Sequence, residues 1–358
     1  GSIAWIDDNN RMRLGPHSAG SDPGPVAFGR GGTQPTVTDA NVVLGRIGSN
    51  SFIGGRLSLD AAAAATSISD TIAKPLGYTG PAAVDKVAQG ILDMANVKMA
   101  GAIKEITVER GRDVRDYTLF VFGGGGPLVA AELARDLGIP EIVVPPHPGA
   151  FSSLGMLMTE ARRDAARTFL NKLEPQAVTT MLVNFEQMES DLKEAMGKEF
   201  DVQKISYLRE ADMKYVGQAH SVRISLSFEL GIEAIRGAFE KEYSSRYGHF
   251  NPDMDLEFVT IRTSGIVPTA KPNLDAIKWV NDTSSTFAPQ TYRDVYFAQV
   301  KKRLNTPVYS RASLPIGASI TGPAIIEEFT STTVIGVADR MVVGRLGELR
   351  ITCLTNPN

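Results

Sequence analysis

Residues 117–134 read Tyr117-Thr118-Leu119-Phe120-Val121-Phe122, then Gly123-Gly124-Gly125-Gly126, then Pro127-Leu128-Val129-Ala130-Ala131-Glu132-Leu133-Ala134. An apolar strand pattern, a glycine turn and a helix pattern in this order are how an α/β protein brings bare backbone amides up to an anion. Glycine suits the turn because a Cβ restricts positive φ and close approach. Pro127 suits the first helical turn, where its missing N–H costs nothing. The helix runs to about Leu137, with Gly138 at the expected C-terminal position. Ile142-Val143-Val144, ended by Pro145-Pro146, is a second short apolar strand. The spacing predicts a βαβ unit with parallel strands and a right-handed crossover.

On the N-terminal side, Ile3–Ile6, a polar turn at Asp7–Asn10 and Met12–Leu14 predict a hairpin. Gly15 to Pro35 is dense in glycine and proline, too long for a simple connection. Thr38 or Asp39 is the expected N-cap of a short helix ending at Leu44. A second helix is expected over Leu59–Ala73, capped by Ser58. A third covers Pro81–Arg110, where Val84, Val87, Ala88, Ile91, Ala95, Met99, Ile103 and Ile106 recur at three- and four-residue spacing.

On the C-terminal side, Ala150–Leu157 predicts a helix docking on the βαβ unit. Residues 172–200 predict a charged amphipathic helix. Lys204–Leu208, Ala211–Leu226 and Leu256–Val267 read as β-rich, with a helix at Ile232–Tyr247 between them. From Arg293 to Cys353, short strands separated by Gly and Pro suggest a small barrel or sandwich. These changes of character divide the chain into 1–167, 168–290 and 291–358.

The chain has 358 residues, 43% hydrophobic and 22% charged, with 37 basic and 40 acidic side chains and a net charge of −3. This composition is that of a globular protein, and it gives nucleic-acid binding little electrostatic support. No stretch approaches the roughly 20 apolar residues that cross a bilayer, and the N-terminus lacks a signal-peptide pattern. Cys353 is the single cysteine. It excludes an internal disulfide, reads as inert core, and makes a reducing cytoplasm the simplest expectation.

Each motif has a functional and a structural reading. Gly123–Gly126 either binds a nucleotide or makes a tight turn under a closely packed helix; it matches neither the dinucleotide fingerprint nor the P-loop. Gly15–Pro25 gathers Ser18, Ser21, Asp22 and exposed amides such as that of Gly20, a mixture that holds a phosphate or hydrated metal. The alternative is a proline-fixed loop in which Asp22 caps a turn. Asp39 is a second carboxylate, on a helix start, where capping competes with a ligand role. His17, His147, His220 and His249 show no metal-ligand spacing. His147, at the end of a parallel strand, is the best placed of the four. No Gly-X-Ser-X-Gly elbow is present.

Several colinear stretches together resemble the hydantoinase A/5-oxoprolinase family, which includes N-methylhydantoinase and the ATP-dependent acetone and acetophenone carboxylase subunits. They are Gly1–Asp7, Gly15–Pro25, Pro35–Asn41, Phe122–Leu128 and Pro145–Gly155, followed by Tyr215–Gln218, Arg246–Gly248 and Gly322–Glu327. The resemblance implies an actin-like, ribonuclease-H-like ATPase lobe followed by an α+β, β-rich C-terminal domain. In that fold two lobes clamp ATP and Mg2+. It implies Gly123, Gly124, Gly125 and Gly126 as the adenosine-side turn, and Asp22 and Asp39 as catalytic carboxylates, Asp22 also meeting the metal. Ser18, Gly20, Ser21 and His147 become the substrate or phosphate loop.

The implied activity is phosphorylation of a cyclic amide by ATP for ring-opening hydrolysis, with a B-type hydantoinase subunit or domain as partner. The alternatives are a ketone carboxylase subunit and a non-catalytic assembly subunit. One departure stands out. The family's Asp-Gly-Gly-Thr phosphate loop is absent, since Gly31-Gly32-Thr33 follows Arg30. The chain is therefore expected to be the C-terminal part of a longer protein, inactive alone, lacking an N-terminal lobe and binding ATP weakly or not at all.

Overall fold

The computed structural model describes residues 1–228, 231–273 and 287–353. The expected hairpin is β1 (Ser2–Ile6) against β2 (Met12–Ser18), turned by Asp7, whose carboxylate accepts the backbone N–H of Asn9 and Arg11. Helix α1 (Val37–Val43) follows the glycine- and proline-rich loop. Helix α2 (Ala61–Ile68) is capped by Asp60, whose side chain accepts Ala63 N–H at 2.8 Å, rather than by the expected Ser58. It continues into a π-helical turn at Ser69–Ala73. Helix α3 (Ala83–Val108) buries the predicted stripe at Val87, Ala88 and Ile91, with Leu92 beside them, while Ile106 near its end is exposed.

Strand β3 (Leu119–Phe120), α4 (Gly126–Leu137) and β4 (Glu141–Val144) form the predicted strand–helix–strand unit with parallel strands, and Val121 N–H to Val143 O at 2.8 Å extends the pairing. After α5 (Phe151–Met158) comes β5 (Ala161–Lys172), an unforeseen strand. Its run of Arg, Asp and Thr side chains is solvent-facing, which hides the usual apolar signal. Then follow α6 (Pro175–Met196), β6 (Ser206–Tyr215), β7 (Val222–Leu226), α7 (Ile232–Tyr247) and β8 (Leu256–Val267). The expected stretch Ala211–Leu226 is broken at Gly217, which takes φ +87° in the turn closed by Gln218 N–H on Tyr215 O. The C-terminal strands are β9 (Thr291–Phe297), β10 (Lys302–Ser310), β11 (Ser319–Thr321), β12 (Ala324–Glu328), β13 (Ser331–Ile335), β14 (Arg340–Val343) and β15 (Leu349–Thr352).

The chain divides into two compact units. The first contains residues 1–107 and 113–154 and the C-terminal stretch described over 287–353. Beside the hairpin it holds a four-stranded sheet ordered β13-β12-β10-β9 and a five-stranded sheet ordered β11-β14-β15-β4-β3. The residues expected as a separate domain over 291–358 thus complete the sheet begun by the strand–helix–strand unit. β15 pairs antiparallel with β4, Ile351 opposite Ile142, because β4 offers an open edge and an apolar face. One core joins α1, α2 and α3 to β9, β10 and β12; another packs α4 on the five-stranded sheet.

The second unit comprises Val108–Arg112 and Gly155–Asn273. It is an antiparallel sheet ordered β5-β8-β6-β7, with Met181, Phe185 and Met188 of α6 and Ile235, Phe239 and Tyr243 of α7 in its core. Residues 274–286 of the expected 168–290 division lie outside the described residues.

Candidate functional site

Among the four glycines of the turn, the structural demand differs at each position. Gly123 takes φ +86°, and its N–H bonds Pro148 O at 2.7 Å, so it must be glycine for conformation. A Cβ on Gly124 would sit 3.1 Å from Thr330 O, and one on Gly126 2.8 Å from Val121 Cγ1. Those two are held by close packing. At Gly125, the N-cap of α4, φ is −98° and a Cβ would meet nothing within 4 Å. Neither conformation nor packing requires glycine there; open space lies beside it.

Two cavities flank this turn. One of about 300 Å³ is lined by Gly124, Leu128, Ile47, Ser51–Ile53 and the β12–β13 turn Glu327–Thr332. Ser331 Oγ closes that side by donating to Gly124 O at 3.3 Å. The other, about 460 Å³, is lined by Gly125, Gly126, Leu128 and Val129, by Ala95, Lys98 and Met99 of α3, by Val37, Thr38 and Asn41 of α1, and by Gly15 and Pro16.

Asp39 is fully buried at the start of α1. Its carboxylate accepts Ala27 N–H at 2.7 Å, Val26 N–H at 3.3 Å, and both the N–H and the hydroxyl of Thr36 at 2.8 Å. The N-cap is therefore Thr36, two or three residues before the expected Thr38 or Asp39, and Asp39 is the third helical residue of a capping box. These contacts pin the loop to the helix; neither cavity is lined by Asp39. Asp22 is exposed, as are Ser18, Gly20 and Ser21, and none of the four lines either cavity. Ser18 Oγ accepts Gly20 N–H at 3.2 Å and donates to Gly1 O. From the Gly15–Pro25 loop only Gly15 and Pro16 reach the larger cavity.

His147 holds a left-handed conformation, φ 48° and ψ 53°, at the end of β4. Its backbone hydrogen-bonds Glu328, a residue of the smaller cavity, and the next residue, Pro148, receives Gly123 N–H. Burial pushes Glu328 above the usual carboxylate range even though Arg311 donates to it at 2.9 Å, and burial likewise lowers Arg311. Glu327 accepts Ser51 Oγ at 2.8 Å and Arg293 at 2.9 Å. Beneath α4, buried Arg46 donates to both Glu132 oxygens, at 3.1 and 2.5 Å, and to Gln89 at 2.9 Å. Burial pushes Glu132 up, but the charge of Arg46 and hydrogen bonds from Arg46, Gln89 and Asn96 outweigh it, leaving the carboxyl below its ordinary value.

Sequence reasoning does not reach Lys98 or Glu328–Thr332, and it quotes Asn41 and Glu327 only as ends of family-like stretches, with no role. Lys98 sits inside a helical pattern that reads as ordinary, and the β12–β13 turn lies some two hundred residues from the glycines it packs against. Among the described residues no group of three His, Cys, Asp or Glu side chains is placed to hold a metal ion, so Asp22 has no such companions. No helix among them is long and apolar enough to cross a membrane.

Family models match the whole extent of this architecture: hydantoinase/oxoprolinase over residues 1–165 and the hydantoinase/oxoprolinase C-terminal domain over 171–351. The chain is 37% identical to an uncharacterized protein of Methanocaldococcus jannaschii, covering 98% of this chain and 49% of that protein. It is 33% identical to the acetophenone carboxylase gamma subunit of Aromatoleum aromaticum, over 97% and 49%. It is 28% identical to the caprolactamase subunit alpha of Pseudomonas jessenii, over 94% and 49%. The crystal structure of the ATP-dependent caprolactamase from that organism superposes with a TM-score of 0.78, covering 99% of this chain and 52% of the other. The chain spans about half the length of these relatives. It belongs to the hydantoinase/oxoprolinase family.

Proposed function

We propose that this chain supplies the adenosine side of an actin-like ATPase lobe in an enzyme that uses ATP to activate a cyclic amide for ring opening. The observation that carries the reading is the glycine turn itself. It lies at the C-terminal end of a parallel strand, opens the 12-residue helix α4, and includes at Gly125 a glycine that neither conformation nor packing requires. Backbone N–H groups at such a helix start, carrying the positive end of its dipole, suit a phosphate. The similarity to an ATP-dependent caprolactamase supports a lactam-type substrate.

An amide carbon resists water because nitrogen donates into the carbonyl. In the proposed step the amide oxygen attacks the γ-phosphorus, the bond to the β–γ bridging oxygen breaks, and ADP leaves. The phosphorylated amide then adds water at carbon, and loss of the ring nitrogen gives an acyl phosphate. A second water releases phosphate, so that amide, ATP and two waters become the ring-opened amino acid, ADP and phosphate. Positioning and electrostatic stabilisation carry phosphoryl transfer. Magnesium, when bound to the triphosphate, would offset the charge on the transferring phosphoryl group. Asp22, Ser18, Gly20 and Ser21, all exposed, are proposed as the surface that meets the rest of the site, on a B-type partner or an N-terminal lobe.

A second reading, activation of a ketone for carboxylation, is favoured by the identity to the acetophenone carboxylase gamma subunit. Phosphate release by the natural-length protein with its partner, assayed with lactams, hydantoins, oxoproline and ketones, separates the two. Release coupled to ring opening is the expected result. Release only with ketone and bicarbonate sustains the second reading, and release with neither contradicts both.

A further inference from the structure

Each carboxylate of the smaller cavity has its own guanidinium. Arg293 donates to Glu327 and Arg311 to Glu328, both at 2.9 Å. The wall therefore carries no uncompensated charge and suits a neutral guest. Ile47, Phe52 and Leu128 give it an apolar side with room for a small ring.

Two polar atoms of this wall are left for a ligand. Ser51 and Arg293 both bond Oε1 of Glu327, and Oε2 has no partner among the described residues. The hydroxyl of half-buried Thr332 likewise has none. Glu327 and Thr332 stand directly opposite each other on β12 and β13, so their side chains share a face with Cβ atoms about 5 Å apart. A carboxylate acceptor and a hydroxyl donor side by side match a group that presents N–H and C=O on one edge. A small cyclic amide is such a group: its ring holds the two cis, whereas an open-chain amide holds them trans.

One wall of the cavity is strained. Ile53 takes φ +51°, a left-handed conformation that β-branched residues avoid, and Gly54 follows at φ +60°. The loop is held there by Ser51 on Glu327 and by Arg56 over the ring of Phe329. Backbone strain maintained by its surroundings clusters at ligand sites.

We propose that the cavity of about 300 Å³ holds the small cyclic amide, its N–H donating to Glu327 Oε2 and its carbonyl accepting from the Thr332 hydroxyl, with the ring on Phe52 and Leu128. This assignment rests on the cyclic-amide reading above. It says where that substrate is held and how a lactam is told from an open-chain amide. Glu327 and Thr332 become binding residues, and Ser51 and Arg293 position Glu327.

The test is saturation-transfer NMR of the natural-length protein with δ-valerolactam, N-methyl-δ-valerolactam and open-chain N-methylacetamide. The lactam is expected to bind, and the N-methyl lactam and the open-chain amide to bind about tenfold more weakly, the effect of one lost hydrogen bond. Thr332→Val keeps a β-branched strand residue and leaves no described partner unpaired, so the hairpin is retained. It is expected to weaken lactam binding about tenfold, and Thr332→Ser to restore most of it. Equal binding of the three amides, no binding of the lactam, or unchanged lactam binding by Thr332→Val overturns the assignment. Lactam-dependent phosphate release with ATP and the partner present reads the underlying function separately. Release by Thr332→Val at the wild-type rate and KM overturns the pocket and leaves the cyclic-amide reading standing. An absence of release by the wild type with any lactam overturns both.

Discussion

Arg46 and Glu132 meet in a bidentate ion pair beneath α4, the arginine 1% exposed, joining the segment after α1 to the helix whose first turn borders both cavities. Gln89 and Asn96 of α3 hydrogen-bond the same pair, so two helices and the segment after α1 converge on it. The pair positions the wall of the proposed site although neither residue lines it.

Arg46→Met is therefore expected to destabilise the first unit by about 3–5 kcal/mol at pH 7, because Glu132 is left buried without its partner. The sign of the pH dependence follows from the depressed folded-state pKa of Glu132. The stabilisation is fully present above the unfolded carboxyl value and is lost as pH falls through the lower folded value. Urea unfolding of wild type and variant from pH 3 to 7 should show the two converging toward acid; a constant difference would contradict the account.

The turn glycines are expected to separate into classes. Gly125→Ala should be neutral or stabilise by about 0.4–1 kcal/mol, since the backbone already has negative φ and the new methyl meets open space. Gly123→Ala should destabilise by about 1–2 kcal/mol through its positive φ. Gly126→Ala should also destabilise, by about 1–3 kcal/mol, through overlap with Val121. Thermal unfolding of the three variants measures this order directly, and equal effects at all three positions would refute it.

Asp39 carries a comparable prediction. Replacement by alanine removes the acceptor for Val26, Ala27 and Thr36 together, at about 1.5–3 kcal/mol for each hydrogen bond to the charged group before relaxation. The loop before α1 should become open to limited proteolysis between Gly15 and Pro35. A fully stable, protease-resistant Asp39→Ala protein would show that the carboxylate has no structural task.

Legibility in the sequence tracked the distance over which each signal acts. The strand, glycine turn and helix at 117–137 were readable because propensity, φ demand and capping are all local. The cap of α1 was displaced because Thr36, Thr38 and Asp39 are all capping types within four residues, and the Thr36–Asp39 box was the sign that distinguished them. The pairing of β15 with β4 had no local sign: strand alternation shows which face is buried, not which distant edge completes the sheet. The same distance hid the Thr330–Ser331 contact with the glycine turn. Lys98 was invisible because an exposed lysine on a long helix reads as solvated surface.

Cys353 is buried, and burial, with Asp339 adding negative charge, pushes its thiol up to about 11. The reactive species is the thiolate, so alkylation by iodoacetamide at pH 8 should be negligible in the folded protein and rapid in denaturant. Rapid alkylation of the native chain would contradict the placement of the C-terminal strand in the core.

Hydrogen–deuterium exchange of the natural-length protein with and without millimolar magnesium-ATP tests the central claim most directly, since it needs no substitution and reads the turn amides themselves. The account predicts slowed exchange in peptides spanning Leu119–Ala130. Unchanged exchange across Gly123–Gly126 at saturating nucleotide would contradict it.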